Sequence, residues 1–185
     1  MKKLLMTTLA TMTLSISAQA GEWEILPVLN DSHKLNTAVA IIGGSMQGDE
    51  SGSESDSFYG LEVSMDCPLI KVPTGKIRQQ INLTTYDDGD IAIRQFNLNP
   101  HYQIPLSSTL TMGVGPSFGI ANVEILDQDD TIFTYGVGTS LRAELTKEIF
   151  IGAEARYELT TDADLFNIED DFNNLKFFAK VGYQF

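Results

Sequence analysis

Residues 175–185, LKFFAKVGYQF, decide how this chain is built. In an extended strand successive side chains point to opposite faces. Leu175, Phe177, Ala179, Val181, Tyr183 and Phe185 therefore share one face, and Lys176, Phe178, Lys180, Gly182 and Gln184 share the other. Chain ends ordinarily fray. A final strand that is apolar on one side, polar on the other and ends on an aromatic residue points to a sheet that closes on itself in lipid. The expected fold is all-β, an eight-stranded antiparallel transmembrane β-barrel.

The opposite end agrees. Residues 1–20, MKKLLMTTLATMTLSISAQA, begin with Lys2 and Lys3, continue through a short apolar stretch and end on the small-x-small triplet Ala18-Gln19-Ala20. This pattern reads as a secretory signal peptide. No Cys follows it, and no run of 18 apolar residues is present to form a transmembrane helix. Residues 21–34, GEWEILPVLNDSHK, read as a periplasmic lead-in whose Trp23 anchors at the membrane interface; a plug or a partner-binding arm is the other reading. The barrel domain is then 35–185.

Eight segments alternate, near 35–46, 57–67, 76–86, 91–104, 109–123, 131–146, 149–161 and 173–185. The pattern is plainest in the second half, where Leu110, Met112, Val114, Phe118 and Ile120 oppose a face of Thr, Gly and Ser. Connections alternate too. Those at 67–75, 105–109 and 146–148 are turn-like, whereas those at 47–57, 87–90, 126–130 and 161–173 are polar and acidic. Short turns at one end and loops at the other suit an outer-membrane barrel with both termini on the periplasmic side.

Charge follows the same division. Removing residues 1–20 takes the net charge from -13 to -15 and excludes nucleic acid as a partner. The expected external loops hold Asp49, Glu50, Glu54, Asp56, Asp87, Asp88, Asp90, Asp127, Asp129, Asp130, Asp162, Asp164, Glu169, Asp170 and Asp171, with no Lys or Arg among them. No stretch has the spacing of a dedicated calcium loop, so no metal site or cofactor is expected beyond weak divalent-cation binding at these loops. The inward face is expected to hold Glu62, Asp66, Glu144, Glu154 and Glu158 against Arg78, Arg142, Arg156, Lys176 and Lys180, a neutral set. Buried charges persist only when paired. Arg142 and Glu144 precede the strand of Glu154, Arg156 and Glu158, so cross-strand pairs between them are expected. Cys67 is the single cysteine and excludes an intramolecular disulfide.

The signal peptide, the strand count, the loop asymmetry and the terminal Tyr183-Gln184-Phe185 together resemble the small outer-membrane β-barrel superfamily that includes OmpX, OmpW and the membrane domain of OmpA. The resemblance implies residence in the outer membrane of a Gram-negative cell, contact with outer-membrane lipids, and Tyr183 and Phe185 as the signal read by the barrel-assembly machinery. The chain departs from that signal at Lys180, where a Gly is usual. A peptidoglycan-binding domain is absent from the sequence.

Catalytic groups are scarce. His33 and His101 are the only histidines. Outer-membrane lipid A deacylases carry Ser two residues after the catalytic His, and Gln103 stands there instead; Ser107 and Ser108 fall in a turn. No HExxH, GxSxG or Walker pattern is present. The expectation is a non-enzymatic barrel acting through its acidic loops. A conduit for small or apolar molecules stays open, because Gly113, Gly115, Gly119, Gly136, Gly138 and Gly152 leave room in one sector of the interior. So does a soluble lipocalin-like binder.

Overall fold

The computed structural model describes residues 23–48, 55–87, 89, 91–125, 128–161, 163–165, 168–170 and 172–185. Eight long strands form the wall: β1 (Ala38–Gly48), β2 (Ser55–Asp66), β3 (Lys76–Asp87), β4 (Ile91–Pro105), β5 (Leu110–Ile125), β6 (Gln128–Glu144), β7 (Ile149–Thr160) and β8 (Asn174–Gln184). Each pairs antiparallel with its neighbours, and β8 pairs with β1 to close the barrel. Following the register inside from Ala38 through Ser64, Gln80 and Asn99, across to Ser117 at the level fixed by the flanking Leu98–Phe118 and Tyr102–Val114 pairs, and on through Gly136, Glu158 and Asn174 returns to β1 at Gly48. That stagger of ten residues tilts the strands steeply, as closure of an eight-stranded sheet requires.

Several strands run farther than alternation alone traces them. β5 and β6 reach Ile125 and Gln128, so the five-residue loop expected at 126–130 shrinks to two positions, and Asp129 and Asp130 stand on a strand. The loop expected at 161–173 contains a short hairpin, Ala163–Leu165 with Ile168–Asp170. Above the lipid both faces of a strand meet polar surroundings, so hydropathy no longer marks the pairing.

The outward face is an apolar belt. Ile41, Leu61, Phe118, Val137, Phe177 and Val181 are all exposed, as residues facing hydrocarbon are. Pro100 and Pro116 lie on this wall at facing levels of β4 and β5, where no pairs form between the flanking Leu98–Phe118 and Tyr102–Val114; proline cannot donate to a ladder.

The lead-in folds back at the end of the barrel that holds both chain termini. Glu24–Ile25 pairs with Ile70–Lys71 of the β2–β3 turn. Leu26 N–H donates to Leu69 O at 2.7 Å, and Asp66 N–H to Leu35 O at 2.6 Å. Lys71 Nζ lies 3.0 Å from Glu24 Oε2, and this hydrogen bond, with a second from Asn30, holds the Glu24 carboxyl below its ordinary range. A depressed carboxyl contributes stability above its unfolded value and loses it as pH falls through the folded one. Acidification should therefore release this clasp, read as faster proteolysis at 23–35, and Glu24→Gln should already be fast at neutral pH. An unchanged cleavage rate in both cases would show that the strand pair alone holds the clasp.

Candidate functional site

The barrel interior carries the chain's buried charge. Glu62 comes from β2, Glu154, Arg156 and Glu158 from β7, and Lys176 and Lys180 from β8; none is more than 4 % exposed. They meet in an alternating series. Lys180 Nζ donates to Glu62 Oε2 at 2.7 Å and to Glu154 Oε2 at 3.0 Å. Arg156 Nη2 reaches Glu154 Oε1 at 2.5 Å, and its Nη1 lies 3.5 Å from Glu158 Oε1. Lys176 Nζ donates to Glu158 Oε2 at 2.6 Å and also to Gln95 Oε1. Three acids face three bases, so the cluster is neutral.

Uncharged donors complete the shell. Glu158 also accepts from Gln95 Nε2 at 3.0 Å, Asn97 Nδ2 at 2.9 Å and Ser117 Oγ at 3.1 Å. Glu62 accepts from Asn82 Nδ2 at 3.3 Å, and Asn99 Nδ2 donates to Asn82 Oδ1 at 2.6 Å. A desolvated carboxylate with several donors keeps its charge at a tolerable cost.

The other expected interior charges lie nearer the periplasmic mouth. Arg78 Nη1 is 3.6 Å from Asp66 Oδ1, and its Nε donates to Ser64 Oγ at 3.2 Å. Arg142 stacks 3.4 Å over the Phe150 ring and donates to Gln184 Oε1 at 2.6 Å. The pairing expected between Arg142 or Glu144 and the β7 charges does not form. The register sets Gly152 opposite Arg142 and Phe150 opposite Glu144, so both sit too far down the strand. Glu144 stands half-exposed at the rim, 3.9 Å from Arg142.

The room expected beside the inward glycines is taken up by side chains and backbone of nearby strands. A Cβ at Gly113 would meet Ser140 Oγ at 2.5 Å and Gln103 Nε2 at 2.7 Å, one at Gly138 would meet His101 Nε2 at 3.1 Å, and one at Gly152 would meet Lys180 Cγ at 3.0 Å. A void lined by Glu62, Arg78, Gln80, Gln103, Ser140, Arg142, Phe150 and Lys180 has a volume of ≈ 10 Å³, room for about one water.

Toward the external mouth the interior turns apolar. Ile42, Phe58, Tyr86 and Phe178 pack together, Ala121, Val123 and Ile132 form a second group, and Ile93 touches both. The Phe58 and Phe178 rings meet edge to face at 5.7 Å. Ile42 pairs directly with Lys180, and Arg156 and Lys180 lie 5.3 and 5.8 Å from the Phe178 ring centre, so the first group packs beside the charges.

One pair was not legible from local spacing. His101 Nδ1 lies 3.0 Å from Ser140 Oγ, a residue on β6, beyond the intervening β5. His101 is wholly buried and Ser140 nearly so, so the contact is part of the interior packing.

The acids expected outside divide. Asp56, Asp87, Asp129 and Asp130 stand at the strand ends opposite the barrel end that holds both chain termini, and Asp164, Glu169 and Asp170 on the short hairpin. Asp49, Glu50, Glu54, Asp88, Asp90, Asp127, Asp162 and Asp171 lie outside the described residues. At the opposite end Tyr183 and Phe185 stack edge to face at 5.3 Å, exposed on the outward wall.

Among solved structures the fold has clear relatives. Neisserial surface protein A is 17% identical with a TM-score of 0.59, over 81% of this chain and 97% of that one. The N-terminal β-barrel domain of Pseudomonas aeruginosa OprF is 13% identical with a TM-score of 0.56, over 83% of this chain and all of that one. Ail, the attachment invasion locus protein of Yersinia pestis, is 13% identical with a TM-score of 0.54, over 83% and 100%. No curated protein sequence matches. Residues 6–185 match the outer membrane protein beta-barrel domain, and with the apolar belt this sets aside the soluble binder: the chain belongs to the outer membrane protein β-barrel family and resides in the Gram-negative outer membrane.

Proposed function

We propose that this protein is a non-enzymatic surface barrel that acts through its acidic external end and not through its lumen. The carrying observation is the interior. Six paired charges fill the middle, apolar side chains pack against them, and the void below holds about one water. An eight-stranded barrel has little lumen to spare once such side chains occupy it.

Charge narrows the partner. Ail has been crystallised with the heparin analogue sucrose octasulfate, a polyanion. Fifteen loop acids without a Lys or Arg would repel such a ligand, so an attachment role here calls for a cationic or neutral partner, with divalent cations condensed weakly on the carboxylates. Two measurements test the proposal. In planar bilayers the purified barrel should give no conductance steps, and protease applied to intact cells should cut within 49–54 and 162–171. Reproducible conductance would favour the conduit, and loops inaccessible from outside would end the surface role.

A further inference from the structure

Arg94 is the one cation on the outer wall toward the external end. Of the Lys and Arg beyond residue 20, Arg78, Arg142, Arg156, Lys176 and Lys180 point inward, and Lys34, Lys71, Lys76 and Lys147 sit at the periplasmic end. The Arg94 side chain is 67% exposed. Cross-strand register sets it in a row with Tyr59, Thr85, Asn122 and Thr131. This is a polar line along the upper edge of the apolar belt. The row beneath is Leu61, Leu83, Phe96 and Ile120, and these line, together with Arg94, a shallow open cleft of ≈ 910 Å³.

The neighbouring charge does not close the site. Glu124 Oε2 is 3.7 Å from Arg94 Nη1, and both side chains are well exposed. That separation is beyond hydrogen-bond length, and exposed ion pairs of this kind are weak. A guanidinium presents a planar fork of donors that matches a phosphate, and a phosphate is the stronger competitor for it.

We propose that Arg94 and the cleft beneath it form a binding site for a phosphate-bearing lipid of the external leaflet, with the phosphate on the guanidinium and an acyl chain along Leu61, Leu83, Phe96 and Ile120. The threonine hydroxyls of the polar row flank the headgroup. Glu124 acts as a built-in competitor that holds the affinity down.

The test uses the full barrel in phosphatidylcholine nanodiscs, with bound lipid counted by native mass spectrometry. The probes are bisphosphorylated lipid A, the same lipid dephosphorylated, and inorganic phosphate. Wild type should retain the phosphorylated lipid roughly tenfold better than Arg94→Ala, the scale of one lost charge-assisted bond. Arg94→Lys should fall between the two, and Glu124→Gln should bind more tightly than wild type. Arg94 is exposed, so its variants should keep the wild-type shift between heated and unheated gel samples. Equal retention by wild type and Arg94→Ala overturns the proposal. So does equal retention of the dephosphorylated lipid, or inorganic phosphate bound as tightly as the lipid, which would leave the cleft without a part.

Discussion

Lys180→Met should destabilise the folded barrel by about 3–5 kcal/mol, the usual cost of stripping one partner from a buried ion pair. Among the described residues Lys180 is the only base within reach of Glu62, at 2.7 Å, and it also holds Glu154 at 3.0 Å. Without it Glu62 keeps a single neutral donor, Asn82 at 3.3 Å. The midpoint of urea unfolding in detergent micelles, followed by far-ultraviolet circular dichroism, measures the loss. Lys180→Met combined with Glu62→Gln should recover much of it, since the orphaned charge goes with the second change. A single-variant loss below about 1 kcal/mol would match a surface pair and would mean that water reaches the network.

The second large effect belongs to Gly136. It faces Ser117 on β5 and Glu158 on β7. A Cβ there would run into the Tyr157 carbonyl oxygen, with the Tyr157 carbonyl carbon at 2.9 Å and Glu158 Cα at 3.0 Å. These are backbone atoms and cannot rotate aside, so β6 must move off β7 beside the most heavily bonded acid in the barrel. Gly136→Ala should cost roughly 3 kcal/mol, the upper range for overpacking. The control is Gly89→Ala. Gly89 has φ +97 with nothing within 4 Å, so only backbone strain of about 1 kcal/mol is expected there. The fraction migrating as folded in unheated gels ranks the two. Gly136→Ala at or above Gly89→Ala would show that the strand gap is wider than it looks.

Alternation told which face each residue takes, and charge on the inward face told that pairing was needed. Height and partner were another matter. Arg142 and Arg156 share a face in the sequence pattern, yet one stacks on Phe150 near the periplasmic rim and the other bridges Glu154 and Glu158. Only the inter-strand stagger separates them, and no single strand records it. The same limit hid Ser140 from His101, because that contact reaches past the intervening strand β5. Phe58, Tyr86, Phe178 and Ile132 were hidden differently. They sit on the face that alternation marks as polar, and their apolar character makes sense only once they are seen packed in two interior clusters. The clasp at 24–25 is too short to register as a strand; its partner, Ile70–Lys71, lies inside a turn.

Trp23 is the chain's only tryptophan, and it stands beside that clasp, 67% exposed, outside the barrel wall. Intrinsic fluorescence excited at the indole therefore reports on the tether and not on the membrane-embedded cylinder. Acid or a clasp variant should shift the emission while gel mobility stays that of the folded form, and Lys180→Met should do the reverse. The molecule carries a spectroscopic label that separates its two cooperative parts, and two probes that fail to coincide would mark two transitions where one is usually assumed.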